Sequence, residues 1–114
     1  MEEFRMDKAE SRILRTYAPM TETAFYILYF LQQPDHGYSI SQKTAEITSG
    51  DVTISPGTMY GSLSKMEKDG LIEFAAQEGK RKIYRNTELG NKILQREIRR
   101  IGRLYANSRG EKYA

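Results

Sequence analysis

The sequence contains no cysteine and no tryptophan, and it has only one histidine and three prolines among 114 residues. The lack of cysteine excludes a disulfide framework and thiolate metal sites, and it fits a reducing compartment. No run of about eighteen apolar residues occurs, so we expect no membrane-spanning helix. The first residues are acidic and lack an apolar stretch, which is not typical of a signal peptide. We therefore expect a cytoplasmic protein.

Patterns that support catalysis or metal binding are also missing. His36 stands alone in a turn, and no pair of carboxylates falls in a motif that would support acid–base chemistry. A zinc site needs ligands that this chain does not have, and no glycine-rich phosphate loop occurs. We interpret His36 as a structural turn residue, and the sequence predicts neither an enzyme nor a cofactor.

Charge is distributed unevenly along the chain. Residues 1–79 carry seven basic and twelve acidic side chains, whereas residues 80–114 carry eleven basic and three acidic ones. A basic stretch of this size favours a polyanionic partner, with nucleic acid first and an anionic membrane second. The alternative is that the basic segment neutralises the acidic surface of the same protein.

Helix start and stop signals divide the chain into five helices and one hairpin. Ser55 is a good N-cap, and Pro56 follows at the first helical position, where its missing N–H costs nothing. Gly70 ends that helix, and Thr87 can cap the last one. The predicted helices span 2–16, Thr21 or Thr23 to about Gln33, 38–48, 56–69 and 88–107, and the predicted strands span 71–76 and 81–86.

Apolar spacing within these elements predicts which faces are buried. The predicted core positions are Ala24, Ile27, Leu28, Leu31, Ile40, Thr44, Ile47, Met59, Leu63 and Met66 in the helices, and Ile72, Phe74 and Ala76 alternating in the first strand. Short helices followed by a two-stranded ribbon indicate a mainly α (α+β) fold, a winged helix-turn-helix with flanking N- and C-terminal helices. We divide the chain into an N-terminal helix that supports a dimer (1–18), the winged domain (19–87), and a dimerisation helix with its tail (88–114).

Several strings resemble, in order and spacing, the signatures of the PadR family of transcriptional regulators. They are HGYSI at 36–40, SPGTMY at 55–60, LSKMEKDGLI at 63–72, Lys82 with Tyr84, and Thr87 with Gly90. The resemblance covers roughly residues 21–95, and the length is similar to the short subgroup with one C-terminal dimerisation helix. It implies a homodimeric repressor that binds a palindromic operator and is released by a small aromatic ligand. Gly61 departs from the family pattern, which has proline there, and a helical glycine suggests close approach of a neighbouring backbone.

With this resemblance, we predict two DNA-binding surfaces. The first is the exposed side of the helix at 56–69, where hydroxyl groups and one lysine suit phosphate and base-edge contacts. The second is the hairpin tip, where three adjacent cations suit phosphates or the minor groove. Tyr38 either reaches a phosphate or packs as a half-buried residue. The predicted DNA-binding residues are Tyr38, Ser55, Thr58, Tyr60, Gly61, Ser62, Lys65, Lys80, Arg81 and Lys82.

The last helix has two contrasting faces. Leu94, Ile98, Ile101 and Tyr105 repeat at spacings of four, three and four, which predicts a short dimerisation seam. Basic side chains occupy the other side, namely Lys92, Arg96, Arg99, Arg100 and Arg103. These cations are either solvated, bound to the DNA backbone, or paired with acids. An acidic stripe at Glu3, Asp7 and Glu10 favours pairing across the dimer.

Three functions from different classes follow. The first is a regulator that binds double-stranded DNA, with a small-molecule effector as a further partner. The second is a winged-helix adaptor that binds protein and no DNA, for which the single lysine of the recognition helix leaves room. The third is a basic amphipathic helix on an anionic membrane. The lack of Trp and Phe on the apolar face of that helix weakens the third.

Overall fold

Each helix begins at a side chain that accepts a hydrogen bond from the first turn. The computed structural model describes residues 5–114. The cap residues are Asp7, Thr21, His36, Ser55 and Thr87, which confirms the predictions at Thr21, Ser55 and Thr87. The described elements are α1 Lys8–Tyr17, α2 Glu22–Phe30, α3 Gly37–Ile47, α4 Pro56–Lys68, β1 Ile72–Glu78, β2 Arg81–Asn86 and α5 Glu88–Ser108.

The first helix begins later than the sequence predicts. Asp7 accepts a hydrogen bond from the Glu10 amide (2.8 Å), and the Glu10 carboxylate accepts one from the Asp7 amide, which forms a capping box. Asp7 and Glu10, two of the carboxylates predicted to face arginines across a dimer, thus form the cap of α1. Glu10 also lies 3.8 Å from Lys92 of the same chain. Glu3, the remaining residue of the predicted stripe, lies outside the described residues.

The core forms where α2, α3, α4, the base of the hairpin and the start of α5 meet. The predicted core residues of α2 and α4 are all buried, and Ile40 and Thr44 of α3 are fully buried. The prediction for Ile47 is wrong, because its side chain is 55% exposed. It is the last residue of α3, and the chain turns away just beyond it through Ser49 and Gly50 at positive φ.

A bulge changes which side of β1 faces the core. Phe74 pairs with Tyr84, and the next pair joins Ala76 to Ile83, so Ala75 is the extra residue. Before the bulge Ile72 is buried and Phe74 is 48% exposed, and after it Ala76 is exposed, so the predicted alternation fails beyond Ile72. A bulge of this kind increases the twist of a hairpin and re-aims its tip.

The helix α5 belongs to the core only over its first half. Leu94 is fully buried within its own chain, so its prediction as a residue of the dimer seam is wrong. Glu97 is also buried, and its carboxylate accepts hydrogen bonds from the Met20 amide (2.7 Å) and from Arg100 Nε (2.5 Å). No helix within residues 5–114 is long and apolar enough to cross a bilayer.

The second half of α5 exposes an apolar surface. Ile98, Ile101 and Tyr105 of the predicted seam are 40%, 43% and 63% exposed. Leu104, which the sequence analysis did not include, is 48% exposed beside them. We call these four residues the apolar face of α5. Large apolar side chains grouped on one helix in this way are typical of an association surface.

The first turn of α5 lies directly on the backbone at the base of the hairpin. Thr87 N–H donates to the carbonyl of Leu71 (3.0 Å), and a Cβ added to Gly90 would lie 2.0 Å from that same oxygen. Only glycine fits this position, because any side chain would displace backbone rather than a flexible neighbour. By contrast, a Cβ added to Gly61 would meet nothing within 4 Å. The prediction that Gly61 marks close approach of another part of the chain is therefore wrong.

We expect Gly90→Ala to lower the free energy of unfolding by about 3 kcal/mol or more, because the added methyl group collides with the Leu71 carbonyl. Urea denaturation followed by circular dichroism measures the change. Gly61→Ala is the matched control, also a glycine within a helix. It should be neutral or stabilise the protein by up to about 1 kcal/mol. Equal effects of the two substitutions would contradict this account of the junction.

Candidate nucleic-acid interface

The helices α3 and α4 cross at Gly37, in the geometry of a helix-turn-helix. A Cβ at Gly37 would lie 2.9 Å from Met59 Cγ and 3.2 Å from Leu63 Cδ1. The absence of a side chain therefore lets the start of α3 lie against the buried side of α4. This contact fixes the outer side of α4 relative to the first turn of α3.

The N-terminal half of α4 is exposed and polar. Ser55 Oγ accepts a hydrogen bond from the Thr58 amide (3.2 Å) and donates to Thr58 Oγ1 (3.0 Å), so these two predicted contact residues form the helix cap. Tyr60 is 61% exposed, and Gly57 and Gly61 have open space where a side chain would be. Another molecule can therefore approach the α4 backbone closely at these two glycines.

Arg81 joins the tip of the hairpin to the start of α3. Its Nη1 atom lies 3.3 Å from His36 Nε2, and its guanidinium lies 5.6 Å from the centre of the Tyr38 ring. Tyr38 is 57% exposed, so the packing role considered for it is wrong. Its hydroxyl accepts a hydrogen bond from Gln42 Nε2 (3.1 Å). The hairpin tip, which carries three cations, is thus held beside the exposed aromatic rings.

A second link joins the hairpin to the turn before α3. Asp35 and Tyr84 exchange backbone hydrogen bonds of 3.0 and 2.8 Å, which form an isolated bridge beside β2. The Asp35 carboxylate accepts hydrogen bonds from Lys43 Nζ (2.8 Å), the His36 amide (2.8 Å) and Ser39 Oγ (3.0 Å). Burial acts to raise the pKa of Asp35, but these hydrogen bonds and the charge of Lys43 outweigh it and hold the pKa below its usual value.

These contacts leave an open cavity of about 340 Å³ between α3, α4 and the hairpin tip, which we call the wing cavity. Its exposed walls are Tyr38, Tyr60, Ser64, Lys80, Arg81 and Lys82. Lys80 and Lys82 form no ion pair within residues 5–114. Two exposed aromatic rings and three cations therefore converge here from three separate elements.

Two predicted contact residues lie elsewhere. Ser62 and Lys65 line a different hollow, together with Tyr17 of α1 and Thr21 at the cap of α2. Lys65 Nζ lies 3.0 Å from Asp69 Oδ2 and 5.5 Å from the centre of the Tyr17 ring. A hydrogen bond from the Tyr17 hydroxyl (2.6 Å) helps to lower the pKa of Asp69. Lys65 is therefore held towards α1 and away from the wing cavity.

Among the lining residues of the wing cavity that are not buried, the predicted contacts omit Ser64 and His36. Ser64 lies four residues after Tyr60 and so shares its side of α4, a spacing visible in the sequence. His36 accepts a hydrogen bond from the Ser39 amide through Nδ1 (3.2 Å), as the predicted structural role requires. The other ring nitrogen of His36, Nε2, faces Arg81. This contact could not be predicted from the sequence, because it forms only when the hairpin packs beside α3. Within residues 5–114, no group of histidine and carboxylate side chains is arranged to hold a metal ion.

A sequence profile described as the transcriptional regulator PadR-like family matches residues 27–96 of this chain. The matched segment contains α3, α4 and the hairpin, together with the last four residues of α2 and the first nine residues of α5. The chain belongs to this family. The family resemblance predicted from the ordered motifs is confirmed, and the family is one of transcriptional regulators.

Two curated relatives match about two thirds of this chain. The transcriptional regulator YqjI of Escherichia coli is 33% identical over 75 residues, which are 65% of this chain and 36% of the relative. A 37.1 kDa protein of a Streptomyces fradiae transposon is 28% identical over 71 residues, 62% of this chain and 20% of that protein. The chain thus spans about a fifth to a third of the length of these curated relatives.

Two solved structures share the fold. A PadR family transcriptional regulator from Eggerthella lenta aligns with a TM-score of 0.63 at 24% identity, over 88% of this chain and 87% of that chain. A transcriptional regulator from Clostridium thermocellum aligns with a TM-score of 0.64 at 23% identity, over 91% and 97%. The winged-helix fold predicted from the sequence is therefore confirmed.

We expect Asp35→Asn to lower the free energy of unfolding by about 1–2 kcal/mol at neutral pH, because charged hydrogen bonds to the carboxylate are weakened. The folded-state pKa of Asp35 is lowered, so its carboxylate stabilises the fold above the unfolded-state pKa of about 3.9. That stabilisation is lost as the pH falls through the folded-state value. The difference between wild type and variant in urea denaturation should therefore shrink from neutral pH towards about pH 3.

Asp51→Asn is the control, since Asp51 is an exposed carboxylate in the loop between α3 and α4. It should change the free energy of unfolding by less than about 0.5 kcal/mol. A difference between wild type and Asp35→Asn that stays constant with pH would show that the Asp35 charge does not support the hairpin.

Proposed function

We propose that this protein is a sequence-specific DNA-binding repressor that acts in the cytoplasm as a homodimer on a palindromic operator. The observation that carries the proposal is the convergence of α3, α4 and the cationic hairpin tip on the wing cavity, in a chain that belongs to a family of transcriptional regulators. Exposed cations beside an exposed helix are the arrangement with which helix-turn-helix proteins approach a duplex.

In this proposal, the N-terminal half of α4 enters the major groove. The side chains that reach base edges are Tyr60 and Ser64, with Thr58 and Ser55 at the helix cap. Gly57 and Gly61 leave the backbone bare on this side of the helix. A helix without side chains at these points can lie closer to the groove wall than one with bulky residues. Ser62 and Lys65 lie at the edge of this surface and reach DNA only if Lys65 leaves Asp69.

The hairpin tip contributes affinity. Lys80, Arg81 and Lys82 are exposed and lie beside Tyr38 at the start of α3. We assign these four residues to the DNA backbone, because cations at a loop tip bind phosphates without reading sequence. The contact of Arg81 with His36 and Tyr38 holds the tip at a fixed distance from α4. The two contact surfaces therefore approach the duplex together.

The apolar face of α5 supports the homodimer. Ile98, Ile101, Leu104 and Tyr105 lie beyond the part of α5 that is packed on the rest of the chain. A second copy that covers them removes apolar surface from water on both protomers. Two-fold symmetry then presents two copies of α4 to two operator half-sites about one or two helical turns apart. Release by a small aromatic effector is the remaining element of the proposal, and it rests on the family resemblance alone.

We expect replacement of Lys80, Arg81 and Lys82 by alanine to weaken DNA binding mainly through its salt dependence. Each neutralised phosphate contributes about −0.9 to the slope of log affinity against log salt concentration. In a dimer with partial engagement of these flexible side chains, the slope should become shallower by about two to four units. Fluorescence anisotropy with operator and random duplexes across a salt series measures both the slope and the specificity ratio.

Tyr60→Ala is the matched comparison in the same assay. It should reduce the ratio of operator to random affinity by about tenfold, the loss expected for one contact to a base edge, and leave the salt slope unchanged. The triple variant should make the salt slope shallower and leave the ratio of operator to random affinity unchanged. If the wild-type protein binds no duplex in a salt-dependent manner, the DNA-binding proposal fails and the adaptor function is favoured.

We expect Ile98→Asp combined with Ile101→Asp to give a folded monomer. Both side chains are exposed in the single chain, so the carboxylates remain hydrated when the partner is absent, whereas in a dimer they would be buried without compensation. Light scattering and circular dichroism measure the mass and the helix content. The control is Glu88→Gln combined with Gln95→Glu, two exposed positions on the same helix, which should stay dimeric. A wild-type protein that is monomeric at micromolar concentration would contradict the dimer.

A further inference from the structure

The ring of His36 joins two of the elements that form the wing cavity, and it is the only histidine of the chain. Its Nδ1 atom accepts the hydrogen bond from the Ser39 amide (3.2 Å) that caps α3. Its Nε2 atom lies 3.3 Å from Nη1 of Arg81 on the hairpin. Both ring nitrogens therefore face an N–H group, one from the backbone and one from a guanidinium.

A histidine ring cannot accept hydrogen bonds from two donors at once. In the neutral imidazole one nitrogen accepts and the other carries a hydrogen, whereas the charged ring has two donors and no acceptor. A guanidinium group only donates. In every protonation state, at least one nitrogen of His36 therefore meets a donor with a donor.

This donor mismatch falls on the side of Arg81. The Ser39 amide is one of the first amides of α3, which have no acceptor within the helix, and His36 accepts from it. Arg81 is exposed at the tip of the hairpin, so its guanidinium does not depend on the ring for a partner. The hydrogen of the neutral ring therefore belongs on Nε2. His36 Nε2–H and the Arg81 guanidinium are then two neighbouring donors that need an acceptor.

A phosphate oxygen is the acceptor that suits this pair of donors. It is negatively charged, and hydrogen bonds from a guanidinium to phosphate are among the stronger ones in proteins. At a nitrogen separation of 3.3 Å, one oxygen can lie about 2.9 Å from both atoms, the usual length of such a bond. Lys80 and Lys82 flank Arg81, and none of these three cations forms an ion pair within residues 5–114.

The one acid beside His36 in the chain does not occupy this position. The Asp35 carboxylate accepts hydrogen bonds from Lys43 Nζ (2.8 Å), Ser39 Oγ (3.0 Å) and the His36 amide (2.8 Å). Its charge is therefore compensated by Lys43, on the side of α3. The space beside His36 Nε2 and Arg81 remains available to an anion from outside the chain.

We propose that His36 Nε2–H and the Arg81 guanidinium together bind one phosphate oxygen of the DNA backbone. The proposal rests on the DNA-binding function, and it adds to the contacts a residue for which the sequence predicts only a structural role. The Tyr38 ring, 5.6 Å from the guanidinium, helps to keep Arg81 at this position. One phosphate then connects the first turn of α3 with the hairpin tip, so that both contact the same point of the duplex.

NMR spectroscopy of the full chain tests the ring directly, because a single histidine gives a single set of ring signals. Long-range ¹H–¹⁵N correlation spectra at about pH 8, where an imidazole is normally neutral, show which nitrogen carries the hydrogen. We expect Nε2 to carry it, and its resonance to shift when operator DNA is added. A hydrogen on Nδ1, or a ring signal that DNA leaves unchanged, would overturn the proposal. Inorganic phosphate is the second probe, and a shift with phosphate but not with DNA would assign the site to a free anion instead.

His36→Ser separates the contact with phosphate from the cap of α3. Serine is also a favoured N-cap residue, so the helix keeps its cap while Nε2–H is lost. We expect operator affinity to fall by about tenfold for each half-site, the loss typical of one hydrogen bond to a charged group. The midpoint of urea denaturation should stay close to that of wild type. Lys82→Ala is the matched control, a cation of the same hairpin tip that contacts a different phosphate.

Operators with a methylphosphonate linkage at one position of each half-site identify the phosphate. Such a linkage replaces a charged oxygen by a methyl group. At one position it should weaken wild type, weaken His36→Ser and Arg81→Ala less, and have no effect on the variant that combines both substitutions. Lys82→Ala should show the full wild-type effect at that position.

Two kinds of failure remain distinct in these measurements. If wild type binds no intact duplex, the DNA-binding function fails and this proposal fails with it. If wild type binds the operator but His36→Ser binds equally well, the function stands and the shared phosphate is overturned. The same holds if His36→Ser binds more weakly yet responds to every methylphosphonate as wild type does.

Discussion

The close contact between the first turn of α5 and the base of the hairpin determines the rest of this structure. The Leu71 carbonyl accepts the Thr87 amide, and Gly90 lies so near that oxygen that no side chain fits. Buried Asn86 extends the junction, because its Nδ2 atom donates to the carbonyl of Leu28 (2.7 Å) and to Asn91 Oδ1 (3.0 Å). One short segment thus ties α2, the hairpin and α5 together, and α4 ends immediately before it.

The hairpin is held at two points along its length. At its base, Leu71 and Asn86 are held by the core, and near its middle Tyr84 pairs with Asp35 before α3. The bulge at Ala75 lies just beyond the Phe74–Tyr84 pair, on the side of the tip, and sets the twist of the tip. Three cations are consequently presented beside Tyr38 and Tyr60 instead of projecting freely into solvent. The Asp35 carboxylate, through its three hydrogen bonds, stabilises the turn before α3 and so helps to hold the hairpin at Tyr84.

The helix α5 changes its surroundings along its length, because its first half is buried and its second half is not. Up to Glu97 it completes the core, and Glu97 itself fixes the chain after Pro19 through the Met20 amide. Beyond that point, apolar side chains gather on one side and arginines on another. The exposed half can carry two different surfaces, since successive residues along a helix point in different directions.

Local chemistry in the sequence determined the helices, their caps and the family. Ser55 with Pro56, Gly70 and Thr87 mark boundaries through their own backbone preferences, and apolar spacing identified the core of α2 and α4. The convergence of Tyr38, Tyr60 and the hairpin cations on one side also followed from the family pattern. Where the sequence analysis failed, at Ile47, Phe74, Leu94 and Gly61, the outcome depends on how the elements pack against one another. Periodicity cannot show where a helix leaves the core, and it cannot foresee a bulge or the backbone that a glycine faces, because each of these exists only once the elements have packed together.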